Sequence, residues 1–307
     1  MPDFTTGAAP TNEAGELATG WLRDLPDFRD YSPDHEKIAP LMKKLHFVTD
    51  PEADPSDMPI LPKKIDLSAD CSPVESQGKL GSCTANAGVG LLEYFQRRAF
   101  GQHIDASRLF LYKVTRNLLG WQGDRGAYLR ATMGAMSLFG VPPSKYWPYQ
   151  ETKYDEEPPA FCYAFAENYK AIRYFRLDPP NIPTDLLLAR VRQLLAMKLP
   201  SMFGFTVYSS IRTPARPGEI PLPADGERAT GGHAVVAIGY DDEKRVKNPV
   251  TGGPESIGAV MIRNSWGPGW GEAGYGWLPY DYILKGLAVD WWTLISADHV
   301  DTGKFGL

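Results

Sequence analysis

The cysteine in the segment GKLGSCTANA is placed for nucleophilic chemistry. Cys83 follows Gly81 and Ser82 and opens a run in which apolar residues recur every three or four positions, which predicts a helix over residues 83–100 that Gly101 ends. Unpaired N–H groups and the positive end of the helix dipole favour thiolate over thiol at such a position. The pattern indicates a reactive thiol, although a buried inert thiol is the alternative for a cysteine taken alone.

Gln77 precedes this cysteine by six residues. Gly78 and Gly81 lie between the two and allow a tight loop that folds the amide back over the thiol. The side-chain N–H of Gln77 and the backbone N–H of Cys83 would then be the two donors that acyl transfer through a tetrahedral intermediate requires. The alternative is a loop glutamine that makes only a turn contact.

A histidine and an asparagine later in the chain are candidates for the base and its orienter. His233 follows two glycines and leads the run AVVAIGY, which predicts a strand that projects the imidazole into a cleft. As neutral imidazole it would take the thiol proton and return it to the leaving amine. Asn264 ends another predicted strand, where its amide oxygen would accept from the imidazole while Trp266 shields that bond from water. A hydrogen-bonded strand histidine is the alternative, but four other histidines lack this context: His35, His46, His103 and His299.

The order of the elements indicates the fold class. Helical patterns dominate the first half of the chain, and a later one, TDLLLARVRQLLAMKLP, has Thr184 as its predicted cap and Pro200 as its end. Short β-rich runs follow, from MFGFTV to WWTLI. The sequence therefore predicts an α+β fold in which a helical lobe (about 74–165) and a strand-rich lobe (about 166–307) enclose a cleft.

Composition excludes several functional classes. The 307 residues are 43% hydrophobic and carry a net charge of −5, which suits a soluble protein without a footprint for nucleic acid, and no window reaches the apolar length of a membrane helix. The first twenty residues contain Asp and Glu, so we expect no Sec signal; cytoplasmic residence and export by another route both stay open. Three cysteines cannot form a dense disulfide framework, and we expect Cys71 and Cys162 to be free buried thiols, although they could pair.

Three blocks, QGKLGSC, GGHAVVAIGY and IRNSWGPGWGEAGY, resemble the signature blocks of papain-like cysteine peptidases and occur in that family's order. The CSPVESQG lead and the DLPDFRDY element are similar to a bacterial, xylellain-like subgroup. The resemblance implies a two-lobed fold with a helical left lobe, a β-barrel-like right lobe and the active-site cleft between them. It also implies endopeptidase activity on peptides or proteins through a thioester acyl-enzyme, without cofactor or metal, carried by Cys83, His233, Asn264 and Gln77.

The resemblance extends to substrate-binding residues and to an inhibitory segment. Gly126 stands roughly where the family has a glycine that binds substrate backbone, and Gly232 and Trp266 complete the expected substrate-binding set. Asp290 stands about where the family has the base of its main specificity pocket, and an acidic floor there would favour a basic substrate side chain; a surface or capping aspartate is an equal alternative. Residues 1–62, rich in Pro and Asp, would be a prosegment that crosses the cleft as a short, irregular latch and makes the chain a zymogen, with the peptidase domain in 63–307.

The chain also departs from the family pattern. Leu80 stands where many members have a disulfide cysteine, and Thr84 replaces the usual aromatic residue after the nucleophile. His233 and Asn264 follow Cys83 by 150 and 181 residues, a long spacing that the insertion KRVKNPVTGGPES would help to explain. Two other functions stay open on these grounds: a catalytically silent papain-fold module that binds a partner, and a thiol acyltransferase.

Overall fold

A computed structural model describes residues 17–48, 59–169 and 173–295 of the chain. Residues 1–16, on which the expectation about a Sec signal mainly rests, and His299 lie outside these ranges. The helices are α1 (Ala39–Lys44), α2 (Cys83–Phe100), α3 (Arg108–Leu118), α4 (Leu129–Leu138), α5 (Ala160–Ala166), α6 (Thr184–Ala196) and α7 (Tyr280–Leu284). The strands are β1 (Lys64–Asp66), β2 (Tyr174–Arg176), β3 (Ser201–Tyr208), β4 (Ala229–Lys247), β5 (Glu255–Arg263), β6 (Tyr275–Pro279) and β7 (Ala288–Leu294).

Two helices illustrate how well local signals define the elements. Helix α2 confirms the predicted bounds, and it ends because Gly101 adopts a left-handed φ of 71° and returns its N–H to the Arg97 carbonyl. Helix α6 differs at its start. The expectation that Thr184 caps it is wrong, because Thr184 is already helical and Pro183 holds the cap position without a side-chain hydrogen bond. Proline suits the entry to a helix, since no intrahelical bond uses its missing N–H.

One antiparallel sheet forms the second half of the molecule, with the strand order β2-β7-β3-β4-β5-β6. Strand β4 organises it: residues 229–237 pair with β3, and residues 239–241 pair with β1. The expected insertion lies at the far end of the β4–β5 hairpin, where Val246 pairs with Ser256. The extra residues therefore lengthen a hairpin and leave the order of the strands unchanged.

The expectation of a barrel-like right lobe is wrong in one respect, because the sheet is not closed into a barrel. Irregular chain covers both of its outer edges. At the β2 edge, the N–H of Arg176 donates to the carbonyl of Tyr31, and at the β6 edge, the N–H of Trp277 donates to Gly218 while its carbonyl accepts from Ile220. These contacts provide hydrogen-bond partners for backbone groups at the two edges, so β2 and β6 have no need to pair with each other.

The N-terminal segment, residues 17–48, packs against the body of the protein. It has one short helix, α1, and is otherwise irregular. Five of its apolar side chains join the common core and are less than a tenth exposed: Trp21, Ile38, Leu41, Met42 and Phe47. Burial of this kind contributes roughly 1.5–3 kcal/mol for each large side chain, so the segment is held by more than its polar contacts.

All three cysteines, Cys71, Cys83 and Cys162, are free and buried, as expected for the first and the last of them. In the ranges that the structure describes, no helix is both long enough and apolar enough to cross a membrane.

Candidate active site

Cys83 is the first residue of α2 and is fully buried. Ser82, in the cap position, does not cap the helix; its hydroxyl hydrogen-bonds the Tyr149 hydroxyl at 2.6 Å. Backbone N–H groups of Ala234, Thr84 and others lie close enough to the sulfur to favour its anion, but burial outweighs them and raises the pKa of the thiol to about 12. The thiol is therefore protonated in this closed arrangement.

His233 on β4 and Asn264 at the end of β5 meet in the interior. The Nε2 of His233 lies 2.7 Å from the Oδ1 of Asn264, which also accepts from the N–H of Ser265 at 2.8 Å. Nδ1 of the same ring is buried without a hydrogen-bond partner. Burial lowers the pKa of His233 to about 4, although the bond to Asn264 opposes that shift. The imidazole is thus neutral, with one nitrogen held and the other free to take a proton.

Trp266 covers this pair. Its ring stacks on the His233 ring with the centroids 4.5 Å apart, as the sequence suggests for a side chain that shields the His233–Asn264 bond. The indole N–H points elsewhere and donates to the carbonyl of Ala18 at 3.0 Å. Trp266 therefore contacts both the candidate base and the N-terminal segment.

Gln77 lies beside the same carbonyl. Its Nε2 donates to Leu80 at 2.8 Å and to Ala18 at 3.2 Å, and its Oε1 accepts from the Ser265 hydroxyl at 2.6 Å. Ser265 thereby fixes which end of the amide faces the cleft. A carbonyl oxygen of the N-terminal segment occupies the position where Gln77 presents its N–H groups.

The N-terminal segment continues through the cleft by main-chain hydrogen bonds. The N–H groups of Gly20 and Trp21 both donate to the Gly232 carbonyl at 3.1 Å. Ala127 donates to the Gly20 carbonyl at 2.8 Å and accepts from Leu22 at 3.1 Å, which forms a parallel bridge. The cleft thus holds one extended strand of the chain's own backbone.

Gly126 stands beside this strand, but it does not make the main-chain pair, which falls to Ala127. It has a φ of +75°, and a Cβ there would lie 2.1 Å from the Gly20 carbonyl oxygen. A glycine is therefore needed for close approach of the backbone in the cleft.

Asp290 is fully buried, not at the surface. Its Oδ2 accepts from the Trp21 indole N–H at 3.0 Å, and its Oδ1 accepts from the Trp292 indole at 2.7 Å and lies 3.2 Å from the Arg176 guanidinium. Burial raises the pKa of Asp290 to about 7, although Arg176 opposes that shift. The carboxylate therefore has a cation beside it before any substrate arrives.

Several residues of this site have no sequence pattern strong enough to predict a role: Ala18, Trp21, Ala127 and Arg176. Two weak sequence signals point to part of this set. The stretch GWLRDLPDFRDYSPDH is the part of residues 1–62 that mixes aromatic side chains with charge, and a glycine interrupts the strand pattern MFGFTV. Interior strand glycines often mark a close approach, which here is that of Trp21.

The comparisons with known proteins agree on one family. The family model described as papain family cysteine protease matches residues 61–283. The uncharacterized peptidase C1-like protein L477 of Acanthamoeba polyphaga mimivirus is 30% identical over 224 residues, which are 71% of this chain and 68% of that protein. Chymopapain from Carica papaya is 27% identical over 218 residues, which are 70% of this chain and 54% of chymopapain. This second match thus spans about half the length of the plant protein.

A solved structure matches over nearly the whole chain. The crystal structure of xylellain, a cysteine protease from Xylella fastidiosa, superposes with a TM-score of 0.72 at 32% identity and covers 91% of this chain and 96% of xylellain. This likeness bears out the predicted papain-like fold and the xylellain-like resemblance. A bacterial source stays an expectation, since the mimivirus relative is viral. The family match covers more than half of the sequence, so the chain belongs to the papain family of cysteine proteases and is a papain-like cysteine peptidase.

Proposed function

We propose that the chain is an endopeptidase in which Cys83 is the nucleophile and His233 its base, and that the N-terminal segment holds it latent. The observation that carries the proposal is the arrangement around His233. Asn264 holds Nε2, Nδ1 has no partner, and the thiol of Cys83 interacts with the backbone N–H of Ala234, the next residue in the chain. The proposed proton donor, Cys83, and the proposed proton acceptor, Nδ1 of His233, are thus buried in the same small region.

The proposed reaction uses these groups in sequence. The thiol proton of Cys83 passes to Nδ1 of His233 as sulfur bonds to the substrate carbonyl carbon, and the oxyanion accepts from Nε2 of Gln77 and the backbone N–H of Cys83. The C–N bond then breaks and the amine leaves with the proton from His233. Water then adds to the thioester carbon and gives a proton to His233. The C–S bond breaks, the acid leaves, and the Cys83 sulfur takes the proton back from His233. Asn264 keeps the imidazole oriented throughout.

Latency would have two causes: the N-terminal segment occupies the site, and it keeps Cys83 and His233 uncharged. The Ala18 carbonyl accepts one of the two hydrogen bonds that Nε2 of Gln77 donates, and the N–H groups of Gly20 and Trp21 donate to the Gly232 carbonyl. Water is excluded at the same time, which keeps Cys83 protonated and His233 neutral. Departure of the N-terminal segment would let water in and allow the thiolate and imidazolium to form as a pair.

Covalent labelling tests the peptidase proposal. A site for a sequence-specific protease is inserted between residues 49 and 58, so that the folded full chain can be nicked and then freed of its N-terminal segment; this form is called the nicked chain. An epoxide reagent should modify Cys83 of the nicked chain much faster than Cys71 or Cys162, and Cys83→Ala should abolish both labelling and peptide hydrolysis. Labelling of Cys83 at an ordinary thiol rate would favour a silent binding module, and products joined to an added amine would favour an acyltransferase.

A second experiment tests latency on the intact chain. Trp21→Ala removes the side chain that anchors the segment in the body, whereas Phe28→Ala changes an aromatic residue of the same segment that is 92% exposed. Hydrolysis of a fluorogenic peptide should rise at least about tenfold with Trp21→Ala, since a buried aromatic contributes several kcal/mol, and should not change with Phe28→Ala. Equal activity of the intact and nicked wild-type chains would refute latency.

A further inference from the structure

The Trp21 side chain fills a narrow slot beside the proposed nucleophile. Trp21 is 5% exposed, and its backbone N–H lies near the Cys83 thiol. Two glycines on the same face of the β3–β4 pair form the surface on which the indole lies. A Cβ on Gly204 would lie 1.9 Å from the six-membered ring, and a Cβ on Gly232 would lie 2.7 Å from it. Without those glycines a flat bicyclic ring could not enter.

The position of these glycines is costly for the sheet. Gly204 is an interior residue of β3 and pairs with Ala234 on one side and Val289 on the other. Glycine at such a position weakens a strand, because it loses more backbone entropy on folding and offers no side chain for packing. Its presence there matches a slot shaped for a large flat side chain.

The end of the slot offers one hydrogen-bond acceptor. Asp290 uses Oδ1 for Trp292 and for Arg176, while Oδ2 accepts only from the Trp21 indole in the contacts described here. The neighbouring carboxylate of Asp178 accepts from the backbone N–H of Asp290 and pairs with Arg176 at 3.0 Å. The carboxylate of Asp30 lies 3.7 Å from the same guanidinium, so the charge at the slot end is shared among three carboxylates and one buried guanidinium.

We propose that this slot selects a tryptophan side chain of the substrate, and that Trp21 occupies it in the latent chain as a mimic of that side chain. The inference rests on the proposed peptidase function. A tryptophan covers Gly204 and Gly232 and gives Oδ2 of Asp290 its donor. Phenylalanine leaves that oxygen buried without a partner, which is costly. Lysine or arginine would also give Oδ2 a donor, but neither covers the two glycines with a bicyclic ring.

The test measures side-chain preference on the full chain carrying Trp21→Ala, nicked between residues 49 and 58 and freed of the N-terminal segment. Fluorogenic peptides are identical except at one position, which is Trp, 1-methyl-Trp, Phe, Leu or Arg and which is moved in turn along the residues on both sides of the scissile bond. The 1-methyl group removes the indole donor and keeps the ring. We expect kcat/KM for Trp to exceed that for 1-methyl-Trp and for Phe by at least about tenfold, as for a hydrogen bond to a charged group. Equal values for these three, or a preference for Arg or Leu, would overturn the inference.

Binding to the same nicked chain carrying Cys83→Ala separates this inference from the proposed function. Dissociation constants of the peptides should follow the same order even if none is hydrolysed. A tryptophan preference in binding without hydrolysis by the Cys83 chain would sink the peptidase proposal and leave the slot inference standing. Hydrolysis without a tryptophan preference would do the reverse.

Two variants locate the acceptor. Asp290→Asn keeps a residue type that tolerates the left-handed φ of 63° at this position, and it should reduce the discrimination between Trp and 1-methyl-Trp to less than about threefold. Asp178→Asn removes the same charge from the cluster without touching the indole, and it should leave that discrimination intact. Thermal unfolding of both variants shows that they are folded. Loss of discrimination in both variants, or in neither, would contradict the assignment of Asp290.

Discussion

Two groups of buried polar side chains lie under the same stretch of the N-terminal segment, and they differ in charge and in hydrogen bonding. The first, Cys83 with His233 and Asn264, carries no charge in the closed chain and leaves Nδ1 of the histidine without a partner. The second, around Asp290 and Arg176, is charged, and its carboxylate oxygens have donors on several sides. The histidine that we propose as the base thus keeps one nitrogen without a hydrogen bond, whereas both carboxylate oxygens of Asp290 have hydrogen-bond donors.

The largest effect should come from breaking the charged group. Arg176→Ala leaves Asp178 and Asp290 buried without their cation, so the free energy of unfolding should fall by about 3–5 kcal/mol, measured by urea denaturation. Arg245→Ala is the control, because Arg245 pairs with Glu255 at a site where both side chains are exposed, so its loss should cost about 1 kcal/mol or less. Similar losses in both variants would show that burial of the charge is not what matters.

A smaller effect, on rate and not on stability, is expected in the uncharged group. Gln77→Ala should lower kcat/KM of the nicked enzyme about a hundredfold, since one of two oxyanion donors is lost. Ser265→Ala keeps that donor and removes only the hydroxyl that holds Oε1 of Gln77, so its loss should be several-fold. Thermal unfolding checks that both variants are folded. A Gln77→Ala rate within a few-fold of the parent would refute the oxyanion role.

The most gradual effect is a difference in pH dependence between the two groups. His233 has a folded pKa of about 4, below its ordinary 6.5, so its contribution to stability is full above pH 6.5 and is lost as the pH falls toward 4. Asp290 has a folded pKa of about 7, above its ordinary 3.8, so its contribution is full below pH 3.8 and is lost as the pH rises through 7.

These opposite signs can be read from urea denaturation between pH 4 and 8. Relative to wild type, His233→Gln should flatten the loss of stability on the acid side, and Asp290→Asn should flatten the loss toward neutral pH. Each slope is limited to about 1.4 kcal/mol per pH unit, the value for one proton. Difference curves with the same sign for both variants would mean that the two groups do not differ in this way.

Sequence reasoning recovered what depends on local patterns. The bounds of α2, the strands around His233 and Asn264, and the free cysteines follow from apolar spacing, glycine stops and cysteine count. The structure groups the four expected site residues, while their roles and those of the substrate-binding set stay predictions. Thr184 was misassigned because proline, not a capping side chain, precedes α6.

The rest depends on contacts that no local pattern encodes. Trp21 meets Asp290 across 269 residues of chain, and the open sheet results from irregular segments that lie on its edges without a periodic signal. Asp290 itself was found only by its place in a resembling family, which says nothing about Arg176 beside it. Long-range pairing of charged groups is therefore the part of this site that required coordinates.

The contact between Tyr31 and Arg176 has a consequence for the released enzyme. While the N-terminal segment is in place, the Tyr31 carbonyl accepts a hydrogen bond from the Arg176 N–H on the outer edge of β2. When the segment departs, β2 becomes an edge strand with unpaired backbone groups. Such edges pair with other extended chains, including further copies of the same molecule. Activation and a tendency to self-associate would then be two results of one departure.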